Sequence, residues 1–451
     1  MASQPSGRNM TVGSPAGHIL AVSLPLLAGS FLQQFYNLVD SWVVGNFVSD
    51  AALAAVGMGF PVMTLFQALF IGLSTGGTVI IAQYYGAGKE DQVKNAVDTI
   101  YTGFVRSVIP VTVMALLLLK PMLHLLRVDE SAFREAYIYL FVVTAGLIGT
   151  IGYNFNAGIL NGLGNSRTTL RFLAVAAGMN IVLDLLFVLV FRWGVFGVAF
   201  ATVLAQTFSW LYGIVYINRH YPEIAIHPFS GRLDKELLRS IVEIGLPAGA
   251  QMSLVSIAVL AVTSKVNSFG TEIYGAGFNV GNKLDSVAFL PVQSLCSAAT
   301  AFVGQNMGAG KDSRAVRGTW VTVAIGAVWT AVCSLVLLRW GHVFAAFFTP
   351  EQSVVDATTL YLDCVMPPYI LFTTFYIINA ALRGAGDSVF PMVNTIASML
   401  IVRVPAMYYL ANRFGPDAMY WGYAVGWIVG CAFSLWYYCS GRWKKKGSLA
   451  K

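Results

Sequence analysis

The sequence predicts an all-α polytopic membrane protein: twelve transmembrane helices in two six-helix lobes, related by pseudo-two-fold symmetry along the membrane normal. Three observations carry that prediction. Of 451 residues, 57% are hydrophobic and only 11% are charged, against about 25% charged in an ordinary soluble domain. Apolar runs long enough to cross a bilayer recur along the whole chain. Short motifs also return at one constant offset of 222 residues.

With so few charges, the apolar surface could not be covered in water, which excludes a cytosolic globular enzyme. The five cysteines sit singly in apolar runs and do not suggest a disulfide-stapled chain. The net charge of +7 is not gathered on one face or tail, as a nucleic-acid binder would have it, but punctuates the apolar runs. In a polytopic protein that distribution reports topology.

The polar tail 1–17 is followed by spans at about 18–44, 52–84, 96–119, 135–160, 169–191 and 195–217, each near the ~20 apolar residues that a bilayer demands. The first run is too long for a cleaved signal and reads as an uncleaved span. A polar linker, 218–240, separates this N-lobe (18–217) from a C-lobe (241–440). The C-lobe has spans at about 241–269, 274–305, 316–339, 356–382, 389–411 and 419–439, and a basic tail, 441–451, ends the chain. With the N-terminus inside, eighteen Lys and Arg fall on the inner side and six on the outer, so both termini are expected to be cytoplasmic. The outer set includes Arg127, and the inner set ends with Arg442, Lys444, Lys445, Lys446 and Lys451.

Leu24-Pro25 recurs as Leu246-Pro247. Gln83 and Gly86-Ala87-Gly88-Lys89-Glu90 recur as Gln305 and Gly308-Ala309-Gly310-Lys311-Asp312. Gly162, Gly164 and Ser166 recur as Gly384, Gly386 and Ser388. Three matches in one register mark a duplication. An even number of spans per copy gives both copies the same orientation, an arrangement suited to alternating access.

A charge at mid-membrane costs about 2.5–3.5 kcal/mol on insertion scales, so each one asks for a reason. The N-lobe buries Asp40 on span 1, Asp184 on span 5 and Arg106 on span 3. At about 1.5 Å per residue, Asp40 lies about 9 Å below the outer surface, and Asp184 and Thr202 about 12 Å below. Asn180 stands four residues before Asp184, on the same helix face. These oxygens form one layer suited to a hard cation such as Na⁺, or to a proton. The alternative is that they only hydrogen-bond neighbouring helices or contact Arg106. Gln33, Tyr36, Asn37 and Asp40 share a face of span 1, and span 4 carries Asn154 and Asn156. They could line a cavity for an amphipathic cation or join helices. Pro25 removes a backbone hydrogen bond and could act as a hinge or only as an entry kink. In the C-lobe, Lys265, Lys283 and Arg403 face Asp285 and Asp363. The excess of positive charge suggests internal ion pairs that hold helices together rather than a second cation site.

Catalytic chemistry is not in evidence. Gly86-Ala87-Gly88-Lys89 lacks the spacing of a nucleotide-binding loop, and the five histidines lack metal-ligand spacing. No catalytic residue, cofactor or nucleic-acid partner is expected.

The twelve spans, the two lobes and the repeated Gln-x-x-Gly-Ala-Gly-Lys-[Glu/Asp] resemble the multidrug and toxic compound extrusion (MATE) family. The loops Leu160-Asn161-Gly162-Leu163-Gly164-Asn165-Ser166 and Leu382-Arg383-Gly384-Ala385-Gly386-Asp387-Ser388 are similar to family loops after helices 4 and 10. The resemblance implies a secondary antiporter that exports amphipathic organic cations in exchange for H⁺ or Na⁺. It also implies a bacterial inner membrane and a monomer. In the DinF-like branch, the matching positions Asp40, Asn180, Asp184 and Thr202 would bind the coupling cation. Gln33, Tyr36 and Asn154 would line the cavity, and helix 1 would bend at Pro25. Another branch has acids on helices 7 and 10, where this chain has Lys265 on helix 7, so the N-lobe is favoured. A lipid-linked precursor flippase of the same superfamily is the runner-up, and a polytopic membrane enzyme is a remote third.

Overall fold

The computed structural model describes residues 7–125, 128, 130–270 and 272–446. Arg127, Lys451 and the outermost parts of both expected tails lie outside the described residues. Among the described residues the chain is helical, without strands.

Its first half contains α1 (Pro15–Phe47), α2 (Asp50–Gly86), α3 (Glu90–Leu125), α4 (Glu130–Ala145), α5 (Leu147–Gly162), α6 (Ser166–Leu185) and α7 (Gly194–His220). The second half contains α8 (Lys235–Asn267), α9 (Glu272–Gly308), α10 (Asp312–Phe348), α11 (Gln352–Val365), α12 (Tyr369–Gly384), α13 (Val389–Thr395), α14 (Val404–Phe414) and α15 (Trp421–Cys439). Among the described residues, ten segments are long and apolar enough to cross a membrane. The α4–α5 pair, bent by 49°, and the α11–α12 pair, bent by 58°, bring the number of spans to twelve. Bends and breaks inside a span need protein neighbours to satisfy the freed backbone groups.

The duplication is visible in the helix starts. Helices α2, α3, α4 and α5 begin at Asp50, Glu90, Glu130 and Leu147, and α9 to α12 begin 222 residues later, at Glu272, Asp312, Gln352 and Tyr369. The repeated glycines explain themselves locally. Gly88 and Gly310 have φ of 70° and 68°, and Gly164 and Gly386 have 77° and 95°. This left-handed backbone is the ordinary way to end a helix, and it favours glycine.

The chain divides into two compact units, Met1–Asn9 with Leu24–Gly249, and Met10–Ser23 with Ala250–Lys451. The divisions fall beside Pro25 and Pro247, so the first turns of α1 and α8 belong to the unit opposite the rest of each helix. Helix α1 nonetheless runs unbroken through Pro25.

In the first unit, Phe104 packs against Phe155 and Trp210 with ring centroids 5.1 and 5.9 Å apart. The second unit has its own aromatic core around Tyr361, Tyr369, Tyr420, Tyr423 and Trp427. Large apolar side chains such as Leu117, Val328 and Ile401 point outward, as lipid contact requires. Lipid gives no hydrophobic force between helices, so close contact and hydroxyl hydrogen bonds hold them. Thr78 Oγ1 donates to the Gly158 carbonyl at 3.0 Å, and Thr300 Oγ1 donates to Ala380 at the same distance. Gly384 lies so close to α9 that a Cβ there would stand 2.5 Å from the Thr300 carbonyl.

The repeated glutamine also has a local task in the second unit. Gln305 Oε1 accepts from the Met10 amide at 2.9 Å. Arg314 donates to the carbonyls of Met10, Val12 and Gly13.

Candidate cation and substrate site

Four helices of the first unit converge on the layer that the depth count picks out. Helix α1 brings Tyr36 and Asp40, α4 brings Tyr139, α6 brings Asn180 and Asp184, and α7 brings Thr202 and Gln206. Asp184 is fully buried, and Asp40 and Asn180 nearly so. The two carboxylates lie within hydrogen-bonding reach of each other. Asn180 Nδ2 donates to Thr202 Oγ1 at 3.4 Å, and that hydroxyl donates to the Val198 carbonyl at 3.1 Å. Asp184 is the penultimate residue of α6, which runs directly into a π-helical turn, Leu186–Val190, the kind of irregularity that collects at functional sites.

The site is short of donors. Asp40 Oδ1, both oxygens of Asp184 and Asn180 Oδ1 are buried without a hydrogen-bond partner. No Lys or Arg among the described residues forms an ion pair with either acid. Arg106, the cation that might have neutralised them, is exposed on α3. Buried carboxylates without a basic partner are costly unless a cation comes between them. Among the described residues no group of three or more His, Cys, Asp or Glu offers a conventional metal site. An all-oxygen set of two Asp, one Asn and one Thr is the donor chemistry that the site supplies.

Tyr36 is buried against Leu173 and Ala177 and within reach of Gln33, Gln206 and Asp40. A narrow, closely packed cleft is lined by Tyr36, Ala176, Ala177, Asn180, Thr202, Ala205 and Gln206. Gln33 is exposed and Asn37 half-buried. Asn154 turns back on its own helix, its Nδ2 donating to the Thr150 carbonyl at 2.8 Å.

Asn156 is not placed on a cavity. It is fully enclosed, with Nδ2 donating 2.9 Å to the Trp210 carbonyl and Oδ1 accepting from Tyr101. Its amide joins α3, α5 and α7, and that work leaves nothing for a substrate.

Two residues escape the sequence analysis. Tyr139 lies within electrostatic reach of Asp40, Tyr36 and Asp184. Gln206 stands four residues beyond Thr202, on the same face of α7. Counting depth for uncharged hydroxyls as well as acids would have found Tyr139, about 13 Å along α4 from Glu130.

The expected ion pairs of the second unit are not formed. Lys265 Nζ instead donates to Asn412 Oδ1 at 2.9 Å and sits 5.1 Å from the ring centroids of Phe269 and Tyr408. Lys283 lies over Phe348, and Asp363 is exposed. Lys265 on α8 thus reaches across to Tyr408 and Asn412 on α14, and Lys283 on α9 reaches Phe348 on α10, so ring faces and an amide take the place of the carboxylates.

Comparison with known proteins identifies the family. The family profile described as MatE matches residues 25–186 and 247–409, once for each copy of the repeat. The chain belongs to the MatE family, whose members are transporters rather than enzymes. It is 29% identical over 444 residues to "Probable multidrug resistance protein YpnP" of Bacillus subtilis, covering 97% of each chain. It is 25% identical to "Probable multidrug resistance protein NorM" of Thermotoga maritima, covering 96% of this chain and 94% of that one. Among solved structures, an outward-facing multidrug resistance MATE family transporter superposes with a TM-score of 0.92 at 23% identity, covering 98% of this chain and 100% of that one. A MOP superfamily transporter from Pyrococcus furiosus gives 0.92 at 22% identity with the same coverage.

Proposed function

We propose that this protein is a secondary antiporter that expels amphipathic organic cations in exchange for H⁺ or Na⁺. We place it in a bacterial inner membrane as a monomer with both termini cytoplasmic. The observation that carries the reading is the group of orphaned acceptors, Asp40, Asp184 and Asn180, with no basic side chain bound to them. A site that lacks donors and holds two touching carboxylates favours a positive charge. A proton, a sodium ion and an organic cation all meet that need, and they compete for it. Thr202 and Asn180 complete an oxygen set for the inorganic ion, while Tyr36 and Gln206 line the adjoining cleft. Gln33, Asn37 and Asn154 are the further candidates for substrate contact. Pro25 leaves one backbone carbonyl of α1 unbonded, so α1 is the element to bend as the occupant changes.

The reading is tested by titrating an amphipathic organic cation such as ethidium into the purified protein in lipid nanodiscs at several pH and Na⁺ values. Competition predicts that the apparent Kd rises in proportion to one inorganic cation, and that Asp40→Asn removes this dependence. An apparent Kd indifferent to both ions contradicts the reading.

A further inference from the structure

The second unit holds an ionisable cluster of opposite character, and antiport as proposed above does not use it. Arg403 ends a π-helical turn, Ile396–Arg403, between α13 and α14. It is only 4% exposed, and its Nε and Nη2 have no hydrogen-bond partner. Its guanidinium is held over the Tyr423 ring at 4.8 Å. Around it, the hydroxyl of Tyr420 and the indole N–H of Trp427 are likewise buried and unpartnered, while the hydroxyls of Tyr361 and Tyr369 lie within hydrogen-bonding reach of Tyr423 and Asp285. The rings form one assembly: Tyr361 lies 6.0 Å from Tyr423, Tyr423 lies 5.5 Å from Trp427, and Trp427 lies 5.5 Å from Tyr369. Two carboxylates act on the cluster, Asp285 beside Arg403 and Asp417 through Tyr420. Tyr369 lies within hydrogen-bonding reach of Asp285 and Arg403 is its electrostatic neighbour, yet no ion pair joins Asp285 to Arg403.

Arginine and tryptophan only donate hydrogen bonds, and a phenol can donate. Arg403, Trp427 and Tyr420 therefore keep unspent donors in one buried cluster, while Asp285 is engaged by Tyr369. Buried polar groups are satisfied in nearly all native structures, so such a surplus calls for an acceptor. The two free arginine nitrogens specify which kind. Nε and Nη2 form the side-on fork of the guanidinium, the edge that receives the two oxygens of a carboxylate together. Phe372, 4.9 Å from both Tyr369 and Trp427, extends the assembly as an apolar wall of the type that takes an aromatic body.

We propose that this cluster is a binding site for the carboxylate of an aromatic ligand. The carboxylate docks on the Nε–Nη2 edge of Arg403, its ring lies among Tyr369, Phe372 and Trp427, and Asp285 opposes it. The site is independent of the cation site in the first unit.

The test is calorimetric titration of benzoate into the purified full-length protein in lipid nanodiscs, with benzamide and chloride as controls. Benzoate should bind, and Arg403→Lys, which keeps the charge but loses the fork, should weaken it about tenfold. Asp285→Asn should tighten binding several-fold, because it removes the opposing charge, whereas loss of a purely structural partner would not. Asp40→Asn should bind benzoate like the wild type, so failure of the antiport reading leaves this result standing. Absence of benzoate binding, equal binding of benzamide or chloride, or weaker binding by a folded Asp285→Asn protein overturns the proposal.

Discussion

The two units share their helix starts and loop glycines, yet they bury opposite chemistry. The first leaves acceptors unmatched, at Asp40, Asp184 and Asn180; the second leaves donors unmatched, at Arg403, Trp427 and Tyr420. Duplication kept what holds a helical bundle in lipid, such as the Thr78 and Thr300 hydroxyl bonds and the left-handed glycines. It did not keep the polar interior. Asp40 and Asp184 correspond by the repeat to Val262 and Ala406, so the acid pair has no second copy. A shared scaffold therefore says nothing about the ion that either half holds.

The sharpest way to break this contrast is to neutralise each cluster in turn. Asp184→Asn should lower ion-driven export of an organic cation by at least about tenfold, the order expected when one partner of a coupled site is lost. Arg403→Lys should leave the ion dependence of that export unchanged. Equal loss in both variants, measured as initial efflux rates from proteoliposomes, would mean that the units do not differ in role.

Asn156 sharpens the line between site and scaffold. Its replacement by Ala removes the partner of the buried Tyr101 hydroxyl and the inter-helix bond to the Trp210 carbonyl, at about 1–3 kcal/mol. Thermal unfolding should show a markedly lower midpoint, with the ion dependence of export preserved in the protein that remains folded.

Lys265 comes next. Lys265→Ala removes two ring contacts and one amide bond from a half-buried side chain, about 0.5–1 kcal/mol. The unfolding midpoint should fall slightly without any change in Na⁺ or pH dependence. Altered ion dependence in a well-folded variant would give the second unit a coupling role.

The smallest effect is expected at Asp234, which caps α8 in the inter-lobe linker. Its Oδ1 accepts from the Glu236 and Leu237 amides at 2.9 and 3.1 Å. Those bonds, Leu237 first, hold its carboxyl below the usual carboxylate range. Its contribution is thus full at neutral pH and is lost as pH falls below about 4. Asp234→Ala should lower the unfolding midpoint slightly at pH 7 and by less at pH 3.

Much of this was legible in the sequence because lipid allows so few solutions. Spans, duplication and the layer containing Asp40, Asn180, Asp184 and Thr202 follow from apolar run length, a fixed offset and helical rise. What stayed hidden depends on which way a side chain turns. Asn156 and Asn154 share a span rich in apolar residues on every face, and sequence cannot tell an amide that bonds another helix from one that meets a cavity. The C-lobe charges looked like mutual partners because all are costly in lipid, yet ring faces and Asn412 satisfied the lysines instead. The π-helical turns after Asp184 and up to Arg403 have no signature in residue type.

Efflux of an organic cation from proteoliposomes, under pH and Na⁺ gradients imposed one at a time, tests the central claim most directly. The account predicts that one of the two gradients drives wild-type export, and that Asp40→Asn protein inserted at equal amount does not respond to it. Full gradient-driven efflux by the Asp40→Asn protein would contradict the account.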